Sequence, residues 1–182
     1  QKTFLDEIPG LAVGIVYKGK LVYARGFGFA DMERKVRVTP KTNFRIASIS
    51  KMFPAIAILQ LVERKKIDLN IPLGTYVKNL RGPIATATVR KILSHMSGAI
   101  RDGLSPHWMT DEFPNHKELE KTVKSTSPIA GYKGRFKYSN YGFALLGEVV
   151  ASASGVSYGE YIHRNILRPL QMQHTFTDFK TE

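Results

Sequence analysis

The sequence predicts an α+β fold, with an antiparallel β-hairpin leading and a mainly helical part following, and three observations carry this. Two β-type runs, 11–17 and 21–29, flank the short glycine-containing connection Lys18-Gly19-Lys20. From residue 46 onward, apolar residues recur at spacings of three and four, the period of a helix. With 182 residues, 43% of them hydrophobic and 10% aromatic, the chain has enough apolar surface for one ordinary core. The expected organisation is a single domain, with residues 1–45 forming the hairpin and its connection and residues 46–182 the helical part.

The elements follow in order. The hairpin strands read Leu-Ala-Val-Gly-Ile-Val-Tyr and Leu-Val-Tyr-Ala-Arg-Gly-Phe-Gly-Phe. Gly26-x-Gly28 invites a dinucleotide fingerprint, but Asp31 stands where the third glycine belongs and no helix follows directly, so that reading is set aside. After a polar connection containing Pro40, residues 46–65 carry Ile49, Met52, Phe53, Ile56, Leu59 and Val62 as a stripe, which predicts a long, mostly buried helix starting near Ser48. Pro54 predicts a kink or an adjusted first turn. Asp68 to Gly82 reads as a loop, Thr88 to His95 as a short helix stopped by Ser97-Gly98, and 101–116, with Pro106, Trp108 and Pro114, as irregular chain. Helices are expected at 117–125, at Ser139 to Ser154 with Phe143, Leu146, Val149 and Val150 facing inward and Gly155 ending it, and at 157–167 before Pro169. The sequence holds no internal repeat and no low-complexity tract.

Composition narrows the function classes. Zero cysteines exclude disulfides, thiolate metal sites and cysteine catalysis, and the five histidines, at 95, 107, 116, 163 and 174, lack metal-ligand spacing. No cofactor or metal is expected. No apolar run reaches the length of a membrane-spanning helix. The chain opens at Gln1 without an initiator Met or a recognisable leader, so the expectation is that any targeting segment has been removed or was never part of this stretch of sequence. The net charge of +12 is concentrated in residues 1–91, with 17 basic and 6 acidic side chains. These cations are scattered, without aromatic interleaving or a nucleic-acid motif, which favours a solvated basic face over a nucleic-acid surface.

Two short motifs carry candidate chemistry. Ser48-Ile-Ser-Lys51 puts a hydroxyl and an amine three residues apart on one face of a helix start. A serine hydroxyl needs a neighbouring base to act as a nucleophile, and a lysine serves when burial or nearby positive charge favours its neutral form. Ser-x-x-Lys arises by chance about once in a chain this long, and alone it reads as a capping serine beside a solvent-reaching lysine. Tyr138-Ser139-Asn140 follows a turn, Gly131-Tyr-Lys-Gly134, and precedes a helix. There a phenol can relay protons when a cation such as Lys51 stabilises its phenolate, and Asn140 can bind a substrate amide or hold Lys51. Alone, that motif reads as a helix cap beside a packed tyrosine.

Three blocks in order, Phe44-Arg-Ile-Ala-Ser48-Ile-Ser-Lys51, Leu93-Ser-His-Met-Ser-Gly98 and Phe136-Lys-Tyr138-Ser-Asn140-Tyr-Gly-Phe-Ala-Leu-Leu-Gly147, resemble the serine β-lactamase-like family. That family includes class C β-lactamases, D-alanyl-D-alanine carboxypeptidases, related esterases and LACTB-type proteins. The resemblance runs from Pro9 to about Phe176. It implies a β-lactamase/transpeptidase-like fold, an antiparallel sheet flanked by helices plus a helical region. It also implies Ser48 as the acylated nucleophile, Lys51 and Tyr138 sharing the proton transfers, Asn140 contacting substrate, and a β-lactam, D-Ala peptide or ester as substrate. The compartment it implies is the cell envelope, periplasm or exterior for a bacterial member and the mitochondrion for a LACTB-type one.

Family members continue into C-terminal strands, one carrying Lys-Thr-Gly or His-x-Gly and a second oxyanion N–H. No such triplet stands in order here, since Lys133-Gly134 and His95-Met-Ser-Gly98 are misplaced. The expectation is therefore a fragment, a truncated relative or one part of a larger assembly, with those strands missing, the hairpin edges exposed and the oxyanion site half built. Two readings compete. One is a serine hydrolase working through an acyl-enzyme; the other is a non-catalytic binding or assembly module that self-associates or takes up a complementing C-terminal segment.

Overall fold

A computed structural model describes residues 8–102 and 134–177. The chain divides into two compact units, Gln1–Ile46 and Ala47–Glu182. In the first, β1 (Gly10–Tyr17), β2 (Lys20–Asp31) and β3 (Val36–Arg37) form an antiparallel sheet in the order β1-β2-β3. β1 and β2 pair from Gly10 opposite Gly28 to Tyr17 opposite Lys20, with an irregularity between Ile15 and Val16. Lys18 and Gly19 both take positive φ, 49° and 74°, the two-residue turn whose twist matches that of the strands it joins. Gly26 and Gly28 have a structural role. A Cβ on Gly26 would collide with the Val38 carbonyl, and Gly28 combines a φ of 70° with close approach to the Pro9 carbonyl. Leu11, Ile15, Val16, Tyr17, Leu21, Val22, Tyr23 and Phe27 are exposed, and β1 is an edge strand among the described residues.

The second unit is helical. A 3₁₀ turn, Ala47–Lys51, leads into α1 (Met52–Glu63). Pro54 sits in the first turn of α1, where its missing N–H costs no intrahelical bond, so the adjusted start takes the place of a kink. The inward face of α1 differs from the expected one. Pro54, Ala57, Ile58 and Leu61 are buried, whereas Ile49, Met52, Ile56 and Leu59 are exposed. α1 is apolar on all sides, so a stripe of period 3.6 can be drawn on more than one face and does not say which one packs.

Asp68 to Gly82, expected as loop, contains the single turn α2 (Leu73–Tyr76), held by Leu73 N–H donating to the Ala87 carbonyl at 2.8 Å. α3 (Pro83–Thr86) and α4 (Val89–Leu93) follow, the latter capped by Thr88 Oγ1 accepting from Lys91 N–H. α5 (Asn140–Ser154) starts where expected. Buried Ser139 caps it by accepting from Gly142 N–H, and Gly155 closes it with a left-handed φ of 79°. The last expected helix divides into α6 (Tyr158–Ile162) and a wider π-type turn, His163–Leu167. The core places Ala57, Ile58 and Leu61 of α1 with Leu145, Leu146, Val149 and Val150 of α5, joined by Ile84, Val89, Ile92, Ile162 and Ile166. Each fully buried Leu or Ile contributes at most about 1.5–3 kcal/mol. The helix expected at 117–125, Trp108 and residues 131–133 of the expected turn lie outside the described residues.

Candidate active site

The helical unit supplies every group of the candidate site. Ala47, the first residue of the 3₁₀ turn, takes a φ of 44°, so the chain bends sharply at the entry to Ser48. The turn then carries Lys51 three residues on, and Lys51 Nζ donates to Ser48 Oγ at 3.4 Å. From just before α5, 90 residues away in sequence, the Tyr138 hydroxyl meets Ser48 Oγ at 2.5 Å. Lys51 Nζ also donates to Asn140 Oδ1 at 2.5 Å and stands 4.7 Å from the centroid of the Tyr138 ring and 5.7 Å from that of Phe143. All four residues singled out in the sequence therefore meet. Ser48 is exposed and makes no cap for α1, whereas Lys51, Tyr138 and Asn140 are half-buried.

The electrostatics follow from this geometry. Burial works to raise the Tyr138 phenol, but hydrogen bonding to Lys51 and Ser48 and the charges of Lys51 and Arg101 outweigh it, leaving the group below its ordinary value of 10. Behind it lies His95, which the sequence marked only as part of the Leu93–Gly98 block, without a role at the site. Its ring lies 4.6 Å from that of Tyr138 and 4.9 Å from that of Phe143, tilted to both, while Phe136 meets it edge-on at 5.7 Å. His95 Nδ1 accepts from Ser139 N–H at 3.1 Å, which requires that nitrogen to be unprotonated. Burial, then the charge of Lys51, lowers the His95 imidazole below 6.5.

Asp102 was also missed. Its Oδ1 accepts from Asn140 Nδ2 at 2.6 Å. The Leu93–Gly98 block hinted at His95, but nothing local marked Asp102, because its partner lies 38 residues away. Among the described residues, no group of three or more His, Asp or Glu is arranged to hold a metal ion, and no helix is long and apolar enough to cross a membrane.

A hydroxyl in contact with both a phenol and an ammonium, on an exposed turn, is equipped to exchange its proton and attack a carbonyl. Comparison with known proteins concerns the chain as a whole. The family model described as Beta-lactamase matches residues 2–180. Protein flp of Staphylococcus aureus (strain MW2) is 31% identical over 173 residues, 93% of this chain and 35% of that protein. The mouse (Mus musculus) mitochondrial serine beta-lactamase-like protein LACTB is 39% identical over 139 residues, 72% of this chain and 25% of that protein. The octameric penicillin-binding protein homologue from Pyrococcus abyssi superposes with a TM-score of 0.78 at 34% identity, covering 91% of this chain and 40% of that one. The chain thus spans about a third of the length of the curated relatives it matches first.

Proposed function

This chain belongs to the beta-lactamase family, and on that premise we propose that it carries the acylation machinery of a serine hydrolase acting on a β-lactam, a D-Ala peptide or an ester. Ser48 Oγ is the nucleophile. As it bonds to the substrate carbonyl carbon, its proton passes to the Tyr138 oxygen, whose phenolate form the Lys51 ammonium stabilises. The N–H of Ser48, in the first turn of its helix where amides have no intrahelical acceptor, donates to the developing oxyanion. Collapse of the tetrahedral intermediate breaks the C–N or C–O bond, and Tyr138 returns the proton to the leaving nitrogen or oxygen. Water then hydrolyses the acyl-enzyme by the same proton path. Asn140 holds Lys51 and contacts the substrate.

The observation that carries this reading is the 2.5 Å contact between Ser48 Oγ and the Tyr138 hydroxyl, with Lys51 Nζ beside both. The test is labelling by a fluorescent penicillin and by a fluorophosphonate in wild type and Ser48→Ala. Labelling of wild type alone is expected; equal labelling of both overturns the assignment. A second reading, a non-catalytic assembly module of the same fold, draws on the exposed apolar side chains of β1 and β2. It predicts concentration-dependent self-association in sedimentation velocity, with labelling absent.

A further inference from the structure

The residues just past the Leu93–Gly98 block take no part in the chemistry above, yet they hold the start of α5. Ser139 Oγ donates to the Ile100 carbonyl at 2.5 Å, and the N–H groups of Asn140 and Tyr141 donate to the Arg101 carbonyl at 2.7 and 3.2 Å. Residues 100–102 are therefore strapped to the segment 139–141, which carries Asn140 and directly follows Tyr138. The side chain of Asp102, 20% exposed, puts Oδ1 on Asn140 and Oδ2 within 3.4 Å of Arg101 Nε.

We propose that Asp102 is a positioning residue that commits the amide of Asn140 to present its oxygen to Lys51, and so fixes where the Lys51 ammonium stands between Ser48 and Tyr138. This rests on reading Ser48, Lys51 and Tyr138 as an acyl-transfer site. Donors and acceptors set the orientation of the amide. An ionised carboxylate only accepts and an ammonium only donates, while an asparagine amide has one end of each kind. With Asp102 on one side at 2.6 Å and Lys51 on the other at 2.5 Å, one orientation satisfies both partners. The flipped amide would set oxygen against carboxylate and N–H against ammonium. Without Asp102, neither end is specified and Lys51 loses its fixed anchor.

The test uses the full chain with Asp102→Ala and Asp102→Asn, and two readouts. The first is the acylation rate with a fluorescent penicillin; the second is titration of Tyr138 by ¹³Cζ-tyrosine NMR, assigned with Tyr138→Phe. Asp102→Ala is expected to slow acylation about 10- to 100-fold, the range for losing one charge-assisted hydrogen bond. It is also expected to move the Tyr138 midpoint up toward its ordinary value, because Lys51 no longer stays beside the phenol. Asp102→Asn keeps an oxygen acceptor for Asn140 and restores both readouts to near wild type. A mere charge effect has the opposite sign, since removing a carboxylate lowers a nearby phenol, and lowers it equally in both variants.

A Tyr138 midpoint that is unchanged or lowered in Asp102→Ala, or equal behaviour of the two variants, overturns the proposal. If Asp102→Ala does not fold, the side-chain amide of Asn140 in wild type decides. A downfield, exchange-protected Nδ2 proton is expected, and a freely exchanging one at the position of a solvated amide overturns it. If penicillin labels neither wild type nor Ser48→Ala, the acyl-transfer reading fails, while the NMR readouts still decide the role of Asp102.

Discussion

Tyr138→Phe removes one oxygen and little else. The ring keeps its place 4.6 Å from that of His95 and 4.7 Å from Lys51 Nζ, so packing around it is retained. What disappears is the hydroxyl 2.5 Å from Ser48 Oγ, a separation in the range of charge-assisted O–H···O bonds. A positioned proton-transfer group contributes about 100- to 10,000-fold, so acylation is expected to slow by that factor, equivalent to about 2.7–5.5 kcal/mol in the barrier. Folding stability, read from urea midpoints, is expected to change by less than about 1 kcal/mol, because the lost bond is at a half-exposed site. The assay is rapid-mixing acylation by a fluorescent penicillin across pH. Wild-type rates should climb as pH rises through the Tyr138 midpoint, which lies below 10, and level off above it; Tyr138→Phe should lack that climb. A variant that acylates within about threefold of wild type at every pH would refute the proton-transfer argument.

The remaining predictions concern what holds the site. Ser139→Ala removes the cap on Gly142 N–H and the bond to the Ile100 carbonyl; a loss of about 1–2 kcal/mol is expected in urea unfolding, together with slower acylation because the strap loosens. For His95 the folded value lies below the unfolded 6.5, so the unfolded chain binds more protons between the two. Its contribution to stability is full above 6.5 and is lost as pH falls through the folded value. Urea midpoints should fall over that window in wild type and stay flatter in His95→Phe, and parallel curves would count against it. Leu145→Ala empties a fully buried position between α1 and α5, and a cost of about 2–5 kcal/mol is expected by the same measurement.

What the sequence made legible is what is local. The hairpin could be read because alternation and a two-residue turn lie within one stretch of chain. α5 could be read because a capping serine and a left-handed glycine bracket it at Ser139 and Gly155. Ser48 and Lys51 could be paired because three residues is one helical turn. The inward face of α1 was not legible, since Ile56 and Leu59 are as apolar as Ile58 and Leu61, and only the position of α5 decides among them. Gly26 and Gly28 were recognised as unusual, but their reason, the approach of Val38 and Pro9, lies outside their own strand. Asp102 and the imidazole of His95 act on α5 across 38 and 44 residues, and no periodicity reports such a separation.

The charges around Tyr138 explain why those distant contacts matter. Two tyrosines in the same unit depart in opposite directions. Burial pushes Tyr158 up, whereas at Tyr138 the burial effect is outweighed by Lys51, Ser48 and Arg101. The difference comes from the Ser48 hydrogen bond and from two cations, Arg101, which belongs to the 100–102 strap, and Lys51, which reaches it through Asn140. Arg101 lies within the strap and pairs with Asp102, and Lys51 is anchored through the Asn140 amide that Asp102 orients. If Asp102 positions Asn140 as proposed above, the strap bears on the Tyr138 phenol through both cations, directly at Arg101 and through Asn140 at Lys51. Substitutions in 100–102 should therefore change the titration of Tyr138 before they change the unfolding of α5, whose core contacts lie on Leu145, Leu146, Val149 and Val150.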